Sequence, residues 1–435
     1  MWLNYINNYF LILFSIVPLT LILGSTASLI NILLIDISFL FLILYIKDFS
    51  FFRNRSFQYL LVFYIYLIFN TLISQDPIIG ISRNLGFIRI IIFFVALNYF
   101  FKKEAFSQNV LFFWIATIFI VSLDVYIESF TGKNILGFES PFRERIVSFF
   151  KDEPIVGGYL NAFYLILIGF LHTKFGEKNK NIILLISIFI LLSILFTGER
   201  SNSIKAILGI FLFYIFFKEY LIKYKLYLLV GGLLILISII FSSDYLKLRY
   251  YHQIKSLILD DRVYFDQYKS GYEVFKEYKF FGVGNKNYRI VSCSKFVEEA
   301  DKWIDIIGKP SDVPGQDGYE ADFFIKNYVE YRCNTHPHQV FFEFLSEHGI
   351  FGSIILLYLI YKLILFNLLF RYRDLNYIQI GSGIYIVLIF LPLIPGGSFF
   401  TDYSITIFAI NLAIFYASNS KFNIFLVKNR DKVNI

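Results

Sequence analysis

Residues 333–370 read CNTHPHQVFFEFLSEHGIFGSIILLYLIYKLILFNLLF, so that a short polar segment runs directly into a long apolar one. Three of the five histidines of the chain fall at this junction. The proline suits the first turn of a helix, where its missing N–H is no loss, and the pattern predicts a helix that begins near His336. His338 would then lie at a membrane surface, on the helix face that also carries Gly349 and Gly352. Glycines allow another helix to approach closely, so we expect this face to look into the protein.

The composition of the chain indicates its class. Hydrophobic residues make up 57% and aromatic residues 20% of the 435 residues, the charged share is 17%, and the mean hydropathy is +0.62. A soluble protein of this length needs more charge on its surface, so we expect an all-α polytopic membrane protein. Most of the net charge of +7 lies in short segments between apolar stretches, where membrane insertion explains it; nucleic-acid binding is therefore disfavoured.

Apolar segments long enough to cross a bilayer recur along the chain, since about 20 helical residues span its core. They divide the chain into residues 1–242 with transmembrane helices 1–9, residues 243–337 as one large outer loop domain, and residues 338–435 with transmembrane helices 10–12 and a tail. The predicted spans, about twelve in all, lie near residues 9–25, 27–46, 57–74, 80–101, 109–128, 156–173, 181–197, 202–217, 226–242, 338–369, 377–395 and 399–418.

Lys and Arg residues in the short connections predict the orientation. The connections at 47–55, 174–180 and 218–225 each carry three residues that are Lys or Arg, and the connections on the opposite side are poorer. The positive-inside rule places the richer set and both termini in the cytoplasm, with residues 243–337 outside. We therefore expect a multi-pass membrane protein whose large loop lies outside the cytoplasm, in the periplasm if the cell has two membranes.

The outer segment 243–337 has the composition of a soluble domain. Within it, 260–279 carries aromatic residues at helical spacing and predicts an amphipathic helix, whose aromatic face packs on the membrane rim or the helix bundle more readily than it binds sugar. Cys293 and Cys333 are the two cysteines of the chain, and both fall in this segment. An oxidising compartment favours a disulfide between them, which would tether the approach to His338; two buried free thiols are the alternative.

Charged residues near the outer ends of the predicted spans are candidates for a cavity that opens outward. Asp36 and Arg89 lie at similar depth, and the sequence predicts that they pair, because an unpaired charge inside the bilayer is costly. The other members of this group are Arg83, Asp124, Lys205 and Asp402.

Arg200 is held by a short outer turn, because little more than Gly198–Ser201 joins the seventh and eighth predicted spans. The planar fork of its guanidinium suits phosphate oxygens. The residues that follow could add N–H donors at a helix N-terminus. The plainer alternative is a surface ion pair in which Glu199 neutralises Arg200.

Together these residues indicate chemistry on a lipid-borne anion. Arg200 and Arg262 lie on separate outer segments, and both can bind the ionised phosphates of a polyprenyl diphosphate and stabilise charge on a leaving diphosphate. His338 can take a proton from an acceptor hydroxyl, because an imidazole titrates near neutral pH; a capping or interfacial role is the alternative. We expect no metal and no other cofactor, since His336 and His338 would point to different faces of a helix and the sequence has no other clustered ligands.

The same stretch resembles a known family. His338-Gln339 is followed, after nine intervening residues, by the GIFG sequence of Gly349–Gly352, and this pattern is similar to the signature of bacterial O-antigen ligases and the related O-antigen polymerases. Gln339 stands where Asn is commoner. The resemblance implies a metal-independent, inverting transfer of a glycan from undecaprenyl diphosphate to a sugar of the lipid A core on the periplasmic face. Its partners would be the lipid-linked donor, the acceptor glycan and membrane lipid.

The wider layout resembles that family over most of the chain. A short outer turn carries an arginine, and a large outer loop holds Asp261-Arg262 and continues to Gly282–Gly284. The resemblance implies that His338 is the catalytic histidine of the signature. By their place in the layout, Arg200 and Arg262 are implied to bind the substrate diphosphate. Secondary candidates are His336, Arg83 and, for a further family arginine, Arg143 and Arg145.

Two other functions fit parts of the sequence. An O-antigen polymerase uses a similar donor but extends another lipid-linked glycan, and the acceptor is not written in the chain. A transporter or flippase belongs to a different class, which usually has repeated halves and polar sites at the midplane, whereas the polarity here lies at the outer side. A transfer assay with each acceptor, or the lipopolysaccharide of a deletion strain, would separate these functions.

Overall fold

The computed structural model describes residues 2–142, 144–151, 153–217, 222–259, 263–307 and 328–425. Within these ranges the chain is helical, and its β structure is limited to one isolated bridge between Lys133 and Glu139. The predicted all-α class is confirmed for this part of the chain. The principal helices are α1 (Trp2–Ser15), α2 (Val17–Ile22), α3 (Ser25–Ile46), α4 (Arg55–Leu72), α5 (Pro77–Phe100), α6 (Glu104–Thr131), α7 (Val156–Phe196), α8 (Arg200–Phe216), α9 (Ile222–Ser242), α10 (Asp244–Lys247), α11 (Gln253–Leu259), α12 (Val263–Glu277), α13 (Tyr288–Ile307), α14 (Val340–Ile360), α15 (Phe366–Phe370), α16 (Tyr377–Ile389) and α17 (Asp402–Ala417).

Several of these helices are long and apolar enough to cross a membrane. In the described residues there are seven such segments, or eight if the pair Leu229–Ser242 and Asp244–Ser256, bent by 104°, counts as one span. Both α16 and α17 are apolar but shorter. Each of the predicted spans overlaps a helix, although fewer than the predicted number meet the length and apolarity that crossing requires. The chain is therefore a multi-pass membrane protein. The qualifying segments are Asn4–Ile22, Ser25–Ile46, Pro77–Phe100, Glu104–Thr131, Val156–Gly176, Lys178–Phe196 and Val340–Phe370.

The outer surface of the bundle is apolar, as helices in lipid require. On α3, Ile35 and Phe39 are buried, while Phe41, Leu44 and Tyr45 are largely exposed. The helix is thus apolar all round, which is typical of a membrane span and not of a surface helix of a soluble protein.

The first half of α7 forms the centre of the bundle. It packs against α6, α8 and α16, and 89% of the residues in its membrane-length apolar stretch are buried. The sequence predicts two spans, 156–173 and 181–197, and the structure joins them in one helix with a break at Asn179 (φ −126°, ψ 31°). The second half leads to the turn that carries Arg200, so the central helix positions one of the predicted site residues.

The outer segment packs onto the helix that follows it. Tyr268 of α12 stacks on Phe342 of α14, with ring centroids 5.4 Å apart and an interplanar angle of 18°. Cys293 of α13 is joined to Cys333 by a disulfide, with the Cα atoms 4.3 Å apart. The disulfide fixes the chain just before His336 to α13.

Candidate active site

His338 lies in the loop before α14 and not within a helix. Its φ of 54° is in the left-handed region that few non-glycine residues adopt. Its C=O accepts a hydrogen bond from the N–H of Gly396 at 2.8 Å, which helps to hold this conformation. Gln339 is the N-cap of α14, and its Oε1 accepts from two N–H groups of the first turn at 2.7 and 3.2 Å. The prediction that the helix begins near His336 is therefore wrong, because the cap fixes its start at Val340.

The imidazoles of His336 and His338 lie side by side, with ring centroids 4.2 Å apart. The prediction that they point to different faces of a helix is therefore wrong, since neither residue is helical and the chain turns at His338. Burial lowers the pKa of His336 to about 4, and the neighbouring His338 acts in the same direction. Burial also lowers the pKa of His338. Both rings are thus neutral near pH 7, the state in which an imidazole accepts a proton.

Both imidazoles line a cavity of about 370 Å³. Arg145 and Arg200 line the same cavity, so four of the predicted site residues meet there. The remaining walls come mainly from the start of α7, the first turns of α8 and α12, the helices α16 and α17, and the loop between these last two helices. The cavity thus combines proton acceptors with fixed positive charge.

The guanidinium of Arg200 has no ion-pair partner among the described residues, although Glu199 precedes it. The carboxylate of Glu199 accepts hydrogen bonds from the N–H groups of Gly157 at 2.6 Å and Gly158 at 3.1 Å, and from Asn202 Nδ2 at 2.7 Å. Glu199 thus holds the start of α7 against the turn, and the alternative in which it simply neutralises Arg200 is not supported. Burial raises the pKa of Glu199 to about 7. Burial and the nearby Arg249 lower the pKa of Arg200, although a guanidinium remains protonated.

Arg249 supports the turn that carries Arg200. It is buried, its Nε and Nη2 donate to the C=O of Gly198 at 3.1 and 2.6 Å, and its Nη1 donates to Glu144 Oε2 at 3.0 Å. These bonds tie the turn to the loop of Arg145. Sequence reasoning missed Arg249, because its partners lie about 50 and 105 residues away and no local pattern marks them.

Of the three other predicted arginines, the structure describes only Arg83. Arg262 and Arg143 lie outside the described residues. Arg83 does not line the cavity: its Nη1 donates to the C=O of Phe400.

The two glycine motifs noted in the sequence contact each other. Gly349 interrupts α14 with a φ of 62° and a ψ of −164°. A Cβ at this position would overlap the carbonyl group of Phe280, in the turn that leads to Gly282–Gly284. The N–H of Ile350 donates to the C=O of Lys279 at 2.9 Å, and the N–H of Phe351 donates to the C=O of Phe280 at 3.2 Å. These bonds join the two segments. Gly349 thus admits the outer loop, whereas at Gly352 Tyr66 of α4 approaches closely, so the predicted approach of another helix holds at Gly352 and not at Gly349.

An apolar groove of about 720 Å³ adjoins the cavity. Ile155 and Tyr403 line both spaces, so the groove and the cavity meet at the first turn of α17. Inside the groove, Arg89 forms an ion pair with Asp402. The sequence predicts Asp36 as the partner of Arg89, and this is wrong because α17 brings Asp402 to it, a pairing across more than 300 residues.

The comparison with known proteins agrees with these observations. A family model described as O-Antigen ligase matches residues 185–357. The matched part begins in the second half of α7 and takes in the turn of Arg200, the outer segment, the loop of His338 and α14 as far as Leu357. No curated protein matches the chain. The match supports the O-antigen ligase family for residues 185–357, the part of the chain that holds Arg200, His336 and His338.

Proposed function

We propose that this protein transfers a glycan from undecaprenyl diphosphate to a sugar hydroxyl of the lipid A core on the periplasmic face of the bacterial inner membrane. The matching O-antigen ligase family model supports the enzyme class, which is a glycosyltransferase that uses a lipid-linked glycan. The observation that carries the proposal is the cavity, in which Arg200 and Arg145, without ion-pair partners in the described chain, face His336 and His338.

The arginines act on the donor. An anionic diphosphate neutralises guanidinium groups that no described carboxylate neutralises, and the fork of Arg200 suits two phosphate oxygens. Arg262 joins them by its place in the chain, since it directly precedes α12, whose Tyr264 lines the cavity. Fixed positive charge also stabilises the negative charge that develops on the leaving diphosphate, so the reaction proceeds without a metal ion.

His338 acts on the acceptor. The hydroxyl oxygen of the acceptor attacks the anomeric carbon of the donor sugar, and the bond from that carbon to the diphosphate oxygen breaks. At the same time the hydroxyl proton passes to the neutral imidazole of His338. Attack opposite the leaving group inverts the anomeric configuration. The products are the glycosylated acceptor and undecaprenyl diphosphate, and the imidazolium then returns its proton to water.

The proposed topology has twelve spans, with both termini in the cytoplasm and residues 243–337 in the periplasm. The Lys and Arg residues of the connections support this orientation. The shorter helices α16 and α17 are among the spans, because both pack in the core of the bundle with α7. The cavity then opens on the side where lipid-linked glycans meet the lipid A core.

Transfer by the purified full-length protein in liposomes tests the proposal. With undecaprenyl diphosphate-linked glycan and lipid A core present, we expect glycosylated lipid A core with inverted configuration at the new linkage, as read by NMR. His338→Ala should form this product at least about 100-fold more slowly. A longer lipid-linked glycan with lipid A core left unmodified would assign the enzyme as a polymerase, and failure of the wild type with both acceptors would refute the proposed transfer.

A further inference from the structure

Lys205 is a charged residue of the cavity to which the proposed mechanism gives no role. It lies on α8 and lines the cavity together with Arg200. A Cβ added at Gly396 would be 3.8 Å from its Nζ, so the ammonium reaches the loop that carries that glycine. Among the described residues it has no hydrogen-bond acceptor and no carboxylate within ion-pair distance. A half-buried ammonium without a partner is unfavourable, and an anion that enters the cavity would relieve this cost.

The depth of Lys205 separates it from the arginines. It follows Arg200 by five residues, which is about 7.5 Å along the axis of α8, in the direction that leads from the outer turn into the bundle. The cavity therefore presents positive charge at two levels. A lipid-linked diphosphate also has two levels, because one phosphate carries the glycan and the other, nearer the bilayer, carries the lipid.

The apolar groove provides a path for that lipid. It meets the cavity at Ile155 and Tyr403 and extends to Phe113, which lies about 27 Å along α6 from the outer end of that helix. The hydroxyl of Tyr403 is buried at this junction and has no hydrogen-bond partner among the residues that the structure describes. The groove lining is otherwise mainly aliphatic and aromatic; Arg89 and Asp402 pair with each other within it, and its other charged residues are Lys151 and Glu153. The cavity and the groove together thus fit an anion that carries an apolar chain.

We infer that Lys205 binds the lipid-side phosphate of the donor, and that the prenyl chain runs past Tyr403 into the groove. The inference rests on the proposed function and adds an orientation to it. The glycan-side phosphate lies at Arg200 beside the imidazoles, the lipid-side phosphate lies at Lys205, and the hydroxyl of Tyr403 donates to an oxygen of that second phosphate. Lys205 is then a binding residue for the donor and for the lipid product.

Undecaprenyl monophosphate tests this orientation, because it has the lipid-side phosphate and lacks the other. Its affinity is measured for full-length protein in phosphatidylcholine nanodiscs. Lys205→Gln should weaken binding by about 10- to 100-fold, as expected for the loss of one charged hydrogen bond. Lys205→Arg should keep most of the affinity. Arg200→Ala should have a much smaller effect, and Lys276→Gln, at an exposed site on α12, should have none.

A second arm tests the path of the lipid. Ala116 lines the groove, and Ala116→Trp would fill it. This variant should bind undecaprenyl monophosphate more weakly, while inhibition of glycan transfer by inorganic pyrophosphate, which has no lipid, should remain as in the wild type. Equal weakening of both ligands would refute the groove as the lipid site.

Other outcomes would overturn the assignment of Lys205. One is a Lys205→Gln variant that binds undecaprenyl monophosphate like the wild type. A second is a larger loss of this affinity in Arg200→Ala than in Lys205→Gln. A third is competition by phosphatidylglycerol as strong as that by the prenyl lipid. These outcomes leave the proposed function intact if the transfer assay still yields product. Absence of both lipid binding and transfer in the wild type would refute the proposed function itself.

Discussion

Two guanidinium groups, one in the groove and one in the cavity that adjoins it, have opposite surroundings. In the apolar groove, Arg89 is paired with Asp402. In the polar cavity, Arg200 has no carboxylate partner in the described chain, because the adjacent Glu199 is bound to the N–H groups of Gly157 and Gly158. The difference shows which charge belongs to the fold and which is available to a ligand. A paired arginine stabilises the protein, whereas an unpaired one beside two imidazoles is suited to a substrate anion.

The largest effect is expected at the imidazoles, which have no counterpart in the groove. His338→Ala should lower the rate of glycan transfer by about 10²- to 10⁴-fold, the usual contribution of a general base, with little change in donor affinity. Product formation per enzyme, measured with donor at saturation, checks this. His336→Ala should have an intermediate effect, because its ring contacts that of His338. A His336→Ala variant that is inactive beside an active His338→Ala would reverse the assignment of the base.

Arg200 should come next. Arg200→Ala should raise KM for the donor and lower kcat/KM by about 10- to 100-fold, since one charged hydrogen-bonding group is lost. Arg200→Lys keeps the charge but not the fork, so its loss should be smaller. Steady-state kinetics in liposomes measure both variants. Normal kcat/KM in Arg200→Ala would mean that the unpaired arginine does not serve the donor.

Arg89 should show the opposite behaviour, a loss of stability without a specific loss of donor binding. Arg89→Ala leaves Asp402 without its partner and should lower the free energy of unfolding by about 1 kcal/mol, between the values for surface and buried pairs. Thermal unfolding in detergent gives the change in Tm. Replacing both residues by Ala should restore part of it, because no unpaired carboxylate then remains. A double variant less stable than either single variant would contradict this role.

The dependence on pH should be a smaller effect. Burial lowers the pKa of His338 below its usual 6.5, so transfer should stay constant through neutral pH and decline only below 6.5, as the base becomes protonated. The free energy of unfolding should also fall on acidification, because the unfolded chain binds protons more readily than the folded one. The contribution of His336 is complete above pH 6.5 and is lost as the pH falls toward about 4. Transfer rates and Tm between pH 4 and 8 test both statements, and a transfer rate that rises on acidification would contradict them.

Local sequence was sufficient for some parts of the site. The short turn predicts that Arg200 lies at the connection between two helices, and the pattern from His338 to Gly352 predicts the helix that follows, since each depends on neighbours in the chain. Contacts between distant segments could not be predicted in this way. The pairing of Arg89 with Asp402 and the support of the turn by Arg249 join residues far apart in sequence.

The positions of the two imidazoles were missed for a different reason. Pro337 favours a helix start, but the side chain of Gln339 caps the helix two residues later. The left-handed backbone of His338 then turns the chain, so the ring of His336 lies beside that of His338. The N–H of Gly396, in the loop between α16 and α17, donates to the C=O of His338 and helps to hold this conformation.

The affinity for undecaprenyl diphosphate-linked glycan in the wild type, Arg200→Ala and Arg89→Ala tests the contrast between the two arginines most directly. All three full-length proteins are titrated in phosphatidylcholine nanodiscs, without acceptor, so that binding is separated from transfer. We expect Arg200→Ala to raise Kd by about 10-fold or more, while Arg89→Ala, once folded, keeps a Kd close to that of the wild type. An unchanged Kd in Arg200→Ala, or a larger increase in Arg89→Ala, would contradict the account.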